Sequence, residues 1–251
     1  MPQSPTHPPY QHSLPRRHGD VELENGGSFA NDLIVMGTHV GTHMDALVHI
    51  SQDGRMYSGL DAVKEQSGGR FNTHGIDQVA PCLARGILLD IPSALGITAC
   101  EAAYEITPSD LDAAAEQQGV DPNEGDVLLV RSGWGRKWDQ GREVYAGHDT
   151  GVPGVSESGA RWLADKRPRA VGADTIAFEC LRPGKGHVSM PAHRVLLVDT
   201  GINIIETMNL EELATDRVHE FALVLAPLPL VGATGSPVRP LALVDSEQPT
   251  R

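Results

Sequence analysis

Short aliphatic runs separated by polar, glycine-rich stretches set the pattern of this chain. L-I-V-M at residues 33–36, G-I-L-L at 86–89, V-L-L-V at 127–130 and A-V-G-A at 170–173 are continuous or nearly so. I-N-I-I at 202–205, F-A-L-V-L at 221–225 and L-A-L-V at 241–244 repeat the theme. Runs of this length bounded by turn residues predict strands buried on both faces. Helix signals lie between them. Thr107 as N-cap with Pro108 at the first helical position opens a helix running to about Gln118 and stopping at Gly119. Ser156 caps another, which carries Trp162 and Leu163, and V-L-L at 195–197 ahead of Gly201 reads as a helix turning into a strand. Apolar strands alternating with helices predict a mixed α/β domain.

No repeat and no linker divides the chain. Residues 1–30, rich in proline, histidine, glycine and charge, read as an irregular N-terminal arm, and residues 31–251 as the domain proper. His7, His12 and His18 in the arm read as solvated, and such an arm can wrap a neighbouring subunit. Residues 51–80 are polar and glycine-rich and read as a loop over the site.

Composition narrows the partners. Of the 251 residues 40% are hydrophobic but only 4% aromatic, so the core is aliphatic. The formal charge of -13 argues against nucleic acid, whose phosphates call for a basic surface. No run of eighteen apolar residues is present to span a membrane, and the N-terminus has no apolar signal region. Cys82, Cys100 and Cys180 are odd in number and widely spaced, as expected of reduced thiols in a cytoplasmic protein.

The chemistry concentrates at residues 38–50, T-H-V-G-T-H-M-D-A-L-V-H-I. His39, His43, Asp45 and His49 are ligand types suited to zinc and other first-row divalent metals. All four positions are odd, so on extended backbone they share a face, whereas a helix would set Asp45 away from His43. A straight strand fails as well, because six residues span roughly 20 Å while metal–ligand bonds are about 2 Å. The backbone must therefore curl between His39 and Asp45, and Gly41 is placed to do it. The alternative is a buried histidine-rich turn held by hydrogen bonds alone. Other catalytic patterns are missing: there is no H-E-x-x-H, and G-V-S-E-S-G at 154–159 misses the spacing of a nucleophile elbow. R-P-G-K-G-H at 182–187 lacks the glycine spacing of a phosphate loop. Asp174 and Glu179 read as ordinary surface acids.

H-x-G-T-H-x-D-x-x-x-H resembles the signature of the metal-dependent cyclase family, which includes bacterial kynurenine formamidases and isatin hydrolases; Leu47 stands where that signature usually has proline. A second stretch, P-A-H-R-V-L-L-V-D-T-G-I-N-I-I-E-T-M-N-L, resembles the family's later pattern, and the closing residues 226–240 resemble its end. The resemblance implies a swivelling β/β/α fold with a mixed sheet, and a homo-oligomer, dimer or tetramer. It implies one or two divalent ions, zinc or manganese. In the kynurenine formamidase pattern His39 and His43 hold one ion, Asp45 bridges, His193 holds the second ion, and Glu206 completes the bridge. His49 would be the general acid/base, or otherwise a fifth ligand or a partner to one. The implied activity is hydrolysis of a C–N bond in a cyclic or linear amide, an isatin-like lactam or N-formyl arylamine, by a metal-activated water. The alternatives are a lactone or ester hydrolase, and a non-catalytic binding protein with a structural metal.

Overall fold

Six of the apolar runs predicted as strands assemble into one sheet. The computed structural model describes residues 7–245. It begins with a hairpin, β1 (Gln11–Arg16) and β2 (Asn31–Val35), whose strands pair antiparallel. Then follow β3 (His43–Asp45), β4 (Cys82–Asp90), β5 (Val127–Arg131), β6 (Ala170–Ala173) and β7 (Asn203–Glu206). The last three strands of the sheet are β8 (Glu220–Leu225), β9 (Gly235–Pro237) and β10 (Leu241–Leu243). The sheet order is β9-β3-β7-β6-β5-β4-β8-β10, eight strands in all. Strands β4 to β7 are parallel, and two antiparallel strands flank them on either side.

The helices are α1 (Ile91–Leu95), α2 (Pro108–Gln118), α3 (Arg142–Ala146), α4 (Glu157–Asp165), α5 (Pro191–His193) and α6 (Glu211–Thr215). Helix α2 has the predicted ends. The Thr107 side chain accepts from the Asp110 amide while Asp110 reaches back to the Thr107 amide, and Gly119 closes the helix at φ 67°. Ser156 caps α4 by accepting from Gly159 N–H at 3.0 Å.

Alternating side chains send the sheet's residues to two cores. Ile87, Leu89, Leu128, Val130, Val171 and Ile204 pack against residues of α2, α4 and the helix after His193. Met44, Leu88, Leu129 and Ile205 pack on the other face with Phe221 and Leu223. The segment 51–80, expected to loop over the site, sends Met56 and Ile76 into this second core. The N-terminal arm also differs from expectation. Residues 11–16 form a strand because β2 offers them a pairing edge, with His12 Nε2 and Asp32 Oδ2 3.1 Å apart across the hairpin.

The four parallel strands share one feature at their C-terminal edge. Asp90, Arg131 and Glu206 end β4, β5 and β7, and Asp174 follows β6 directly. All four are buried. Buried charges must be paired or hydrogen-bonded, so this edge is where the polar interactions gather.

Close approach in the centre of the sheet leaves no room at Gly172. A Cβ there would stand 2.6 Å from Met208 Sδ and 2.9 Å from Leu129 Cδ2. Gly172→Ala should therefore destabilise the protein by about 1–3 kcal/mol through overpacking. Urea unfolding measures this as a lowered midpoint at unchanged slope, and an unchanged midpoint would contradict the packing described.

Candidate metal centre

The register of β3 on β7 builds the core of the site. His43 pairs with Glu206 and Asp45 with Ile204. Met44 and Ile205 point into the second core, so His43, Asp45 and Glu206 share the opposite face. Ahead of β3 the chain curls at Gly41, whose φ is 67°. Thr42 Oγ1 fastens the curl by donating to the Thr207 carbonyl at 2.7 Å. The strand itself is only three residues long. A curl plus a short strand, instead of one extended segment, therefore carries the four odd positions.

The curl returns His39 to the site, where its Nδ1 lies 2.7 Å from Asp45 Oδ1. His39 Nε2 lies 2.9 Å from Thr234 Oγ1. The neighbouring Gly235 has no side chain to displace the ring, and a Cβ there would meet His39 Cε1 at 2.7 Å. His193 arrives from α5, directly before a π-helix spanning Arg194–Thr200. Such π segments are rare and frequent at functional sites.

Both inner imidazoles turn Nε2 to the carboxylates because Nδ1 is engaged elsewhere. His43 Nδ1 donates to the Gly41 carbonyl at 2.8 Å, and His193 Nδ1 lies 2.6 Å from Glu179 Oε1. His43 Nε2 then stands 3.5 Å from Asp45 Oδ1 and 3.4 Å from Glu206 Oε2. His193 Nε2 stands 3.6 Å from Asp45 Oδ2 and 3.2 Å from Glu206 Oε1. Each carboxylate thus gives one oxygen to His43 and the other to His193. His49 is half-buried, its ring stacked on His39 at 4.1 Å between centroids and 6.1 Å from that of His193. The six residues singled out in the sequence, His39, His43, Asp45, His49, His193 and Glu206, are thereby brought together.

The field between these groups is strongly negative. Burial pushes the Asp45 carboxyl up, but His49, His193 and His39 outweigh it and hold it well below the usual carboxylate range. Burial and Asp45 push Glu206 up; His193 and His43 bring it down, and the net shift is downward. In return, Glu206 and Asp45 overcome the burial of His43 and raise it to about 9. Burial likewise lowers His193, but the facing carboxylates of Asp45, Glu179 and Glu206 carry it well above the ordinary imidazole value. For His49 burial dominates and lowers it to about 4.

The donor set fits a divalent cation. Asp45 Oδ2 and Glu206 Oε1 are buried and accept no hydrogen bond among the described residues, and leaving buried oxygens unpaired costs stability unless something else satisfies them. Two buried carboxylates that draw neighbouring imidazoles towards their cationic forms are a place for positive charge. Ligand atoms lie within 4.8 Å of one another in two overlapping groups, His39–Asp45–His49 and His43–Asp45–Glu206. His49 therefore has the position of a ligand as well as that of a rim residue.

Two acids read as surface residues prove to be buried, Asp174 at 0% exposure and Glu179 at 1%. Asp174 accepts from Ser132 N–H and Oγ at 2.9 and 2.7 Å and from Gly133 N–H at 2.8 Å, fixing the turn after β5. Glu179 holds His193. The available signals were local: Asp174 directly follows an apolar strand, and Glu179 follows I-A-F within an apolar stretch.

Comparison with known proteins gives a consistent picture. The family model described as Cyclase matches residues 1–180. An isatin hydrolase of Roseibium aggregatum is 26% identical over 223 residues, covering 88% of this chain and 77% of that protein. A kynurenine formamidase of Geobacillus thermodenitrificans is 29% identical over 213 residues, covering 85% and 79%. A crystal structure described as a novel cyclase superposes with a TM-score of 0.87 at 30% identity, covering 97% of this chain and 84% of that one. The family match ends before His193 and Glu206, so their place in the site rests on the geometry above.

His43→Ala and Asp45→Asn should each purify with far less divalent metal than wild type. A drop beyond roughly tenfold in affinity is expected, since even groups that only support a ligand are worth 10–100-fold. Elemental analysis of the three proteins side by side decides it, and equal metal content would remove the basis for a metal site.

Proposed function

Because the chain belongs to the Cyclase family, we propose that it is a metal-dependent hydrolase that cleaves the C–N bond of a small cyclic or linear amide. The observation that carries this reading is the sharing of both carboxylates between His43 and His193. The four contacts span 3.2 to 3.6 Å. Ligand atoms arranged tetrahedrally at 2.0–2.1 Å from an ion are roughly 3.3 Å apart. The spacing supports two ions, zinc or manganese. His39 and His43 would hold one and His193 the other, with Asp45 and Glu206 contributing to both. Bound there, a divalent cation lowers the pKa of water to roughly 7 and stabilises negative charge on a carbonyl oxygen.

The chain's own residues supply the rest. Asp45 is held from behind by Asn203, whose Nδ2 donates to its backbone carbonyl at 2.7 Å. The His43 ring is locked in one tautomer by the Gly41 carbonyl. His49 stands at the rim, beside both His39 and His193, and among the described residues no hydrogen bond fixes its ring. It is placed to take a proton from the attacking water and return it to the leaving nitrogen. Isatin-like lactams and N-formyl arylamines are the proposed substrate classes, in line with what the two named relatives are called. A lactone or ester hydrolase uses the same machinery without the need to protonate an amine. A purely structural metal is disfavoured by the partial exposure of His49 at the edge of the site, since structural sites are closed.

The setting follows from the surface. Leu14, Leu33, Ile34 and Val35 of the β1–β2 hairpin are each at least 41% exposed. A two-stranded hairpin with no apolar face covered is marginal in water, so we infer that it packs on another copy in a dimer or tetramer. No helix among the described residues is long and apolar enough to cross a membrane. The three cysteines are free, which supports a reducing, cytoplasmic setting.

His49→Ala should keep its metal and lose roughly 100- to 10,000-fold in amide hydrolysis. Activated aryl esters should suffer less, because their leaving group needs no proton. Assay of lactams, N-formyl arylamines and aryl esters, with metal analysis of the same samples, reads all of this. Loss of metal would make His49 a ligand, and full amide turnover would end its proton-transfer role. Separately, Leu33→Glu with Ile34→Lys should shift sedimentation towards the monomer, and an unchanged sedimentation coefficient would refute the hairpin interface.

A further inference from the structure

The two inner histidines are supported by unlike partners. His43 Nδ1 donates to a neutral carbonyl, that of Gly41. His193 Nδ1 faces a carboxylate, Glu179 Oε1, at 2.6 Å. Glu179 accepts two further bonds from the start of the same helix, Oε1 from His193 N–H at 3.1 Å and Oε2 from Ala192 N–H at 3.2 Å. One side chain thus grips both the backbone and the ring of His193, and it does so at 1% exposure.

The backbone around Glu179 is forced into place. Phe178, fully buried, has φ 57°, a left-handed conformation that costs a non-glycine residue about 1–3 kcal/mol. Val155 N–H donates to the Phe178 carbonyl at 3.1 Å. Gly154 lies flush beneath, where a Cβ would stand 2.3 Å from the Glu179 carbonyl carbon and 2.6 Å from the Phe178 oxygen. A strained residue persists only where its surroundings over-determine it. Here they fix the point from which the Glu179 carboxylate reaches α5.

We propose that Glu179 is a positioning residue that makes the His193 half of the site a stronger, pre-oriented metal donor than the His43 half. The proposal rests on the two-ion hydrolase reading above. A carboxylate accepting the Nδ1 proton fixes the tautomer, leaves the Nε2 lone pair facing Asp45 Oδ2 and Glu206 Oε1, and raises the basicity of that nitrogen. Those two oxygens are the ones left without hydrogen bonds. The negative charge of Glu179 therefore bears more strongly on the ion position beside His193 than on the one beside His43.

The experiment compares wild type with Glu179→Gln, which keeps the side chain's size and can still accept from the backbone but lacks the charge. Chelator competition with zinc should find two ions in wild type. In the variant the ion beside His193 should be weakened roughly 10- to 100-fold while the other keeps its affinity. Equal weakening of both ions would mean a general structural role and overturn the proposal, as would two ions at wild-type affinity. A wild type holding fewer than two ions overturns the two-centre reading and this proposal with it, whereas a loaded wild type with an unaltered variant overturns this proposal alone. A second measurement does not need the variant to fold. Ring nitrogen shifts of His193 in the zinc-loaded wild-type protein labelled with nitrogen-15 histidine should show Nδ1 protonated and Nε2 without a proton, and a ring protonated at Nε2 instead of Nδ1 would overturn it.

Discussion

Two carboxylates facing one buried space repel each other, and the region around Asp45 and Glu206 is built to hold them there. Antiparallel pairing of β3 with β7 leaves no choice about their proximity. Three imidazoles, those of His39, His43 and His193, then close around them. In a medium of low dielectric such a pair can stay ionised only beside positive charge. That requirement accounts for the upward shifts of His43 and His193 and for the downward shifts of both acids. A divalent cation answers the same field with the imidazoles neutral, and only neutral imidazoles can donate lone pairs.

Two of the eight non-glycine residues with positive φ among the described residues sit beside the carboxylates. Phe178, with φ 57°, precedes Glu179, and Thr207, with φ 58°, follows Glu206. Thr207 is β-branched, for which the left-handed region is a true outlier. It is held there from both sides: its carbonyl accepts from Thr42, and its N–H donates to the Thr175 carbonyl at 2.9 Å. The Thr42 bond ties the curl before His43 to the turn after Glu206, so the two halves of the site, 163 positions apart in the pairing of residue 43 with residue 206, are coupled through one hydroxyl. Folding energy spent on these two residues is returned as fixed geometry at the site.

Much of this was legible in the sequence because local rules decided it. The apolar runs at 86–89, 127–130 and 170–173 became central strands, and Thr107, Gly119 and Ser156 acted as the caps their chemistry allows. The odd parity of the motif and the curl at Gly41 followed from strand geometry and ligand reach. His193 and Glu206, by contrast, could be tied to the motif only by resemblance, since no local rule says that strand β7 pairs with β3. Asp174 and Glu179 were misread for the same reason. An acid's burial is set by what folds over it, here the turn after β5 and the start of α5. The strands β1 and β9 escaped because pairing edges supplied by β2 and β3, and not their own composition, make them strands.

The placement of the site follows from the sheet's direction. Parallel strands end together, and the chain leaves each at the same edge, which is where open α/β sheets place their ligand crevices. Here the four central strands run into Asp90, Arg131, Asp174 and Glu206. Three of these are satisfied within the protein. Arg131 bridges Asp90 at 2.7 Å and Glu211 at 2.9 Å, and Asp174 is taken up by the amides of Ser132 and Gly133. Only at Glu206 does the accounting stay open, with one oxygen unbonded beside an unbonded oxygen of Asp45. Thr175 Oγ1 is also buried without a partner, but it is a neutral hydroxyl; a pair of unmatched carboxylate oxygens is what marks this point of the edge as the candidate centre, because buried charge calls for a counter-charge to complete it.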